Sequence, residues 1–266
     1  MFNEEFLSGR IMSRLWEIFR VFIFWNLFYI VVHFTYNFKS NRKLELDNKN
    51  RIISICHGAL SFFFATYFIC LYGIDFDFQI DLFSTKIVCL SLGYFLYDLI
   101  ACLWFGLWDG KLVLHHILAI TGFSYPLFIE NGIFAGILGL LLAESSNFPM
   151  HLRAILKNMK LRHTILYELA DVLYLVVYII FRGLFAPILC FMSFFSKSTP
   201  WVVCMVFLGL TLQSLYFIRI MIKILKSKYK QHQERKLTNT PLFWLSENEK
   251  LYSLSYTQKD KKTKVF

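Results

Sequence analysis

Seven stretches of this chain are apolar over about the 20 residues that a helix needs to cross the hydrocarbon of a bilayer. They are Leu15–Phe38, Ile52–Tyr72, Ile87–Trp108, Leu112–Ile129, Ile133–Leu152, Ile165–Phe195 and Pro200–Ile222. Inside hydrocarbon no water is at hand for the backbone, so each stretch must satisfy its own N–H and C=O groups. Long runs without strict alternation do this as helices. Composition agrees, with 57% hydrophobic and only 17% charged residues where a soluble domain carries about 25% charged. The mean hydropathy is +0.51. The expected fold is all-α, a polytopic membrane bundle of about seven transmembrane helices.

Three stretches raise questions. The fourth contains His115, His116 and Pro126, and the fifth is cleanly apolar only from Ile133 to Ala143. If both were re-entrant, every other segment would keep its orientation. The sixth has 31 residues, about 47 Å as one helix, so it must tilt, kink or start on the surface. Gly183 and Pro187 mark the expected bend. The first stretch follows Met1–Arg14 without a small-residue cleavage site, which predicts a retained span, not a cleaved signal peptide.

Orientation follows from short-loop Lys and Arg. The first loop is expected to hold Lys39, Arg42, Lys43, Lys49 and Arg51, and the fifth Lys157, Lys160 and Arg162, with Arg153 just before it. With seven spans these fall on the side of the basic C-terminus, which is then cytosolic. The acidic second loop (Asp75, Asp77, Asp81) falls on the other side, together with Arg10 and Arg14, which run against the trend. Of the net charge of +10, the part from Lys223 onward holds 11 Lys/Arg against 4 Asp/Glu. A basic tail suits anionic lipid headgroups. Nucleic acid is not an expected partner, since no soluble basic domain is present. The six cysteines all lie in apolar segments without C-x-x-C spacing, as small packing residues do.

Ionisable groups inside spans are expensive and mark a site by default. Here they are His57, Asp98, His115, His116, Glu144, Asp171 and Arg182, with His151 at the end of the fifth segment. The orientation puts His57, His115, His116 and Asp171 one to two turns below the cytosolic surface, with His151 on the same side. The candidate catalytic residues are His115 and His116, with Glu144 or Asp98 to orient them. Two adjacent imidazoles offer a base and an acid, or a nucleophile and its base. Simpler pairings remain open: Asp98 with Arg182, Glu144 with Arg153 or Arg182, and His57 as an interhelical hydrogen-bond donor. No metal site is expected, because the seven histidines lack H-x-x-x-H, H-x-x-H-H or H-E-x-x-H spacing.

The runs LVLHHILAITGFSYPLFIENG, LLLAESSNFPMHLRAIL and VVYIIFRGLFAPIL, with SICHGALSFFFATY and GYFLYDLI before them, resemble the TLC domain of ceramide synthases, TRAM translocation-associated proteins and other lipid-related membrane proteins. The specific combination is a double histidine, an E-x-S-N-x-P stretch about 30 residues later, and an Arg followed by Pro five residues on. The resemblance implies three parts. Residues 1–50 form an N-terminal segment with the first span and a basic cytosolic loop, 51–225 a six-span TLC-like unit, and 226–266 a basic cytosolic tail. It implies a bundle around a lipid-sized cavity.

In the ceramide-synthase branch the adjacent histidines serve acyl transfer from acyl-CoA to a sphingoid amine, and the next helix carries D-x-x-D. This chain has Glu144 and Asn147 in that region, and so looks closer to the TLC proteins linked to membrane lipid composition and homeostasis. What the resemblance implies is a lipid-binding protein with His57, Asn147, His151, Asp171 and Arg182 as substrate-binding residues. Its alternatives are an acyltransferase acting on a lipid amine or hydroxyl, or a lipid or protein trafficking factor. No cofactor is expected beyond acyl-CoA as a co-substrate. The expected partners are membrane lipids and a second copy of the chain. Lys262 and Lys264, fifth and third from the end, resemble a dilysine retrieval signal of the endoplasmic reticulum.

Overall fold

A computed structural model describes residues 2–38, 41–237, 239 and 241–246, with side chains from residue 8 onward. The helices are α1 (Phe2–Thr35), α2 (Arg42–Tyr72), α3 (Leu82–Trp104), α4 (Gly110–Ile129), α5 (Ile133–Glu144), α6 (Asn147–Asn158), α7 (Ile165–Tyr178), a π-helical stretch (Ile179–Phe185), α8 (Ala186–Phe195) and α9 (Trp201–Leu237). Taken with their continuations, they supply 7 candidate spans among the described residues. The fold is therefore the all-α polytopic bundle that the apolar runs predict.

Helix starts follow the polar residues that precede them. Asn41, Asp109 and Thr164 each accept a backbone N–H of the first turn, and Asp81 forms a reciprocal box with Ser84. Such caps satisfy donors that have no partner inside the helix. The turn between α4 and α5 is made by Glu130 and Gly132, both at positive φ.

The fourth run is one helix, with Pro126 inside it. The fifth continues to Asn158, beyond the expected Leu152, but breaks at Ser145–Ser146 between α5 and α6. The sixth is interrupted by the π-helical stretch, which contains Gly183 and lies just before Pro187. A wide π-turn is a recognised cause of a kink and a frequent companion of function.

The first loop is shorter than expected, because α2 already starts at Arg42. Lys49 is buried, pairs with Glu45 at 2.6 Å and donates to the His33 carbonyl. Arg51 pairs with Asp47 at 2.9 Å. These charges are structural, not a free basic loop. Lys39, Lys262 and Lys264 lie outside the described residues.

Contacts sort the loops to two ends. At one end Asn158 donates to Asp47 and Asn48, and Ile165 N–H bonds the Phe243 carbonyl. At the other, Ser198 bonds Asp77, while Arg10 and Arg14 clasp Glu130 at 2.8 and 2.7 Å. The first loop, the fifth loop and the chain after α9 share an end, as seven spans require. The two N-terminal arginines that run against the charge trend are answered by Glu130 and by the Leu127 carbonyl.

The main core joins α1, α2, α3 and α5 through Trp25, Ile53, Phe68, Leu92, Phe134 and Ile137. At Gly93 a Cβ would stand 2.6 Å from Val21, so α1 and α3 cross there because no side chain intervenes. Ile30, Phe63, Leu173, Phe191 and Leu212 face outward, an apolar exterior that suits lipid.

Candidate functional site

One face of α2 carries Asn50, Ser54, His57 and Ser61, all buried. Their spacing of four, three and four residues puts them in a single stripe. His57 stacks on Tyr94 at a centroid distance of 3.7 Å and meets Trp25 and Phe95 edge-on. Its Nε2 lies 2.9 Å from the Ser61 hydroxyl, which reaches Ser91 of α3 at 3.3 Å. Its Nδ1 is buried without a hydrogen-bond partner, 3.9 Å from Glu144 Oε2.

Glu144, the last residue of α5, accepts from the Asn147 amide across the helix break. Its carboxylate occupies the space left by Gly58, where a Cβ would stand 3.0 Å from Oε2.

Asp98 is the hub of the adjoining cluster. It accepts from Asn50 Nδ2 at 2.6 Å and shares a 2.8 Å bond with His116 Nε2. Asn50 in turn accepts from the Tyr97 hydroxyl at 2.8 Å. His116 Nδ1 lies 2.8 Å from the Leu112 carbonyl. A carbonyl can only accept, so Nδ1 carries a proton, and a second proton lies between Nε2 and Asp98.

His151 stands at the edge of the cluster, its Nδ1 3.3 Å from Arg51 Nη1. Arginine only donates, so that nitrogen accepts. Asp98 lies within electrostatic reach of both His57 and His151.

His115 turns the other way. With Arg182 it lines an apolar cleft walled by Phe95, Ala119, Gly139, Phe207 and Leu210, among others. The cleft has a cavity volume of only about 60 Å³. It is a narrow slot. Arg182, on the π-helical stretch, donates through Nη2 to the Ala143 carbonyl at 2.7 Å and packs its guanidinium over Tyr178. Its Nε is buried without a partner.

Six of the nine sequence candidates thus belong to neighbouring polar clusters: His57, Asp98, His116, Glu144, Asn147 and His151. His115 and Arg182 line the cleft. Asp171 belongs to neither, because it is bound by Arg153 and Lys228 at the interface of α7 and α9. The pairing of Asp98 with Arg182 does not form, since Asp98 is taken by His116 and Asn50. Nor does Glu144 bond Arg153 or Arg182; Asn147 holds it instead, although the charge of Arg182 is close enough to be felt.

Residue-by-residue reading missed Asn50, Ser61, Ser91 and Tyr97. The stripe on α2 is the signal that would have found Asn50 and Ser61.

Chemically, the arrangement offers a proton-sharing His116–Asp98 pair next to an imidazole that faces an apolar slot, with a guanidinium further along its wall. A family model of the TLC domain matches residues 47–226. No curated protein matches the chain significantly. The matched region is well over half of the chain and holds every residue named here except Trp25 and Lys228, so this chain belongs to the TLC-domain family of lipid-related membrane proteins.

Proposed function

We propose that this TLC-domain protein binds the acyl chain of a lipid in the cleft and so contributes to membrane lipid composition. One observation carries the reading: apolar walls that meet a few polar groups, His115, Arg182, Thr211 and Ser214. That is the profile of an amphiphile, with chain along the wall and head at the polar groups. The narrow slot favours a single chain. The Glu144–Asn147 contact supports a placement outside the ceramide-synthase branch, because these residues bond each other in the region where that branch carries two acids. Residence in the endoplasmic reticulum with a cytosolic C-terminus completes the reading.

The test is lipid retained by purified protein, measured by mass spectrometry. Gly136 lines the cleft, and a Cβ built there meets Pro126 and Phe123 at ordinary van der Waals distances of 3.8 and 3.9 Å, so the larger side chain of Gly136→Leu should fill the slot and deplete bound acyl lipid. Retention equal to wild type in a variant of unchanged melting temperature would sink the proposal. In cells lacking the protein, wild type should restore the lipid profile.

A second reading is favoured by the His116–Asp98 bond beside His115: acyl transfer from acyl-CoA to a lipid amine or hydroxyl. His115 would act as the base, taking the proton of the lipid amine or hydroxyl and passing it to the departing CoA thiolate, while the His116–Asp98 bond fixes its orientation. His115→Ala should then reduce CoA release by about 10²-fold or more. Purified protein that holds lipid yet releases no CoA with any acceptor would remove this reading and leave the first standing.

A further inference from the structure

A second place where this protein meets lipid lies outside the bundle, where the end of α1 stands away from α2 and α3. It is an open groove of about 660 Å³, lined by Tyr29, His33, Arg42, Lys43, Trp104 and Phe105 among others. The local charges do not balance there. Glu45 is taken by Lys49 at 2.6 Å, and Asp47 by Arg51 at 2.9 Å and by Asn158 at 2.6 Å. Arg42 and Lys43 are exposed and make no ion pair among the described residues.

Both cations also sit in the first turn of α2, where the helix dipole is already positive. An anion in the groove would relieve both effects. Tyr29 lines the groove, its hydroxyl is buried without a hydrogen-bond partner, and its ring stacks on Phe105 at 5.2 Å. It is a donor in search of an acceptor.

The rim identifies the kind of anion. Phe34 and Trp104 flank the groove at 83% and 84% exposure, as aromatic residues do at the level of lipid headgroups. From there the wall passes through Ile30 onto the outward apolar face of α1, with Leu27 and Ile23. A soluble phosphate would use the cations and leave the rest of the surface without purpose.

We infer that this groove holds the phosphate headgroup of an anionic membrane phospholipid, with Arg42 and Lys43 on the phosphate, Tyr29 donating, and the acyl chains along α1. The site is separate from the cleft and does not depend on what the cleft binds.

The experiment reconstitutes the full chain in nanodiscs of phosphatidylcholine with a minor share of phosphatidic acid. Lipids retained on release are counted by native mass spectrometry. Wild type should keep phosphatidic acid in clear preference to phosphatidylcholine. Arg42→Gln/Lys43→Gln should weaken that preference by about thirtyfold, the effect of two cations at a membrane surface. The same charge loss at the exposed Lys226 and Lys230 of α9, which do not line the groove, should leave most of the preference in place. Arg42→Lys/Lys43→Arg keeps the charge and should keep the preference, which guards against a folding defect. A preference unaltered by the double Gln variant, or lost equally at Lys226 and Lys230, overturns the site. Displacement of the retained lipid by inorganic phosphate overturns the lipid assignment in favour of a free anion.

Discussion

Asp98 and His116 are joined at 2.8 Å between α3 and α4, and that bond fixes where the neighbouring His115 points. Adjacent helical residues lie about 100° apart around the axis. With His116 drawn into the polar network, His115 is left to face the cleft. The double histidine is therefore two unlike residues, one anchored and one presented.

Asp98→Ala would strand His116 Nε2 and Asn50 Nδ2 in a buried setting. Removing one partner of a buried hydrogen-bonded charge pair costs about 3–5 kcal/mol. A clear fall in melting temperature in detergent is expected, and a smaller one for Asp98→Asn, whose amide still offers an acceptor. Wild-type stability of the alanine variant would mean that the pair contributes nothing to the fold.

Gly58 is where α2 admits the Glu144 carboxylate. In Gly58→Ala the new methyl would meet Glu144 Oε2 at 3.0 Å and Asn147 Cβ at 3.3 Å. Overpacking of this kind costs about 1–3 kcal/mol. Gly9, on exposed α1, has nothing within 4 Å, so Gly9→Ala should be neutral or gain up to about 1 kcal/mol from helix propensity. Thermal unfolding of the two variants side by side tests the contrast; equal shifts would contradict it.

Arg182 supplies a donor to the Ala143 carbonyl beside the break at Ser145–Ser146. In a membrane the backbone groups around a helix break must find partners elsewhere. Arg182→Met should cost about 1–3 kcal/mol and speed amide exchange around residues 143–147. Unchanged exchange there would show that Arg182 does not secure the break.

Asp81, just outside the third span, tests the caps through pH. Burial pushes its carboxyl up, but hydrogen bonds from the Ser84 side chain and backbone and from the Tyr72 hydroxyl outweigh it, leaving Asp81 below the usual range. A depressed folded value means that the stabilisation is present above the unfolded value, about 3.9. It is lost as pH falls through the lower folded value. Asp81→Ala should therefore cost about 1 kcal/mol near neutral pH, with the gap to wild type closing only below about pH 4. A gap that is constant through that acid range would assign the effect to packing.

The spans were legible because hydrocarbon leaves a helix little choice: length and apolarity state it directly. An irregularity in the sixth run could be read from Gly183 and Pro187, since 31 apolar residues exceed the membrane, and the π-helical stretch lies there. The first loop was misjudged for an equally physical reason. Counting Lys and Arg treats each as free, whereas Lys49 and Arg51 are matched by Glu45 and Asp47 four residues earlier on the same helix. The site was half legible. Intramembrane charge pointed to Asp98, Glu144 and the histidines, but Asn50 and Tyr97 are residues that many helices carry without consequence.

By itself, then, the sequence determined the element type, the number of spans and the candidate polar residues, because each rests on local composition and on the cost of leaving a polar group in lipid. Only the tertiary structure decided the partners: Asp98 with His116 and not Arg182, Glu144 with Asn147, Asp171 set apart with Arg153 and Lys228. Partner choice depends on how helices distant in the chain cross and rotate. That is set by close contacts such as Gly58 on Glu144 and Gly93 on Val21, which no local pattern encodes.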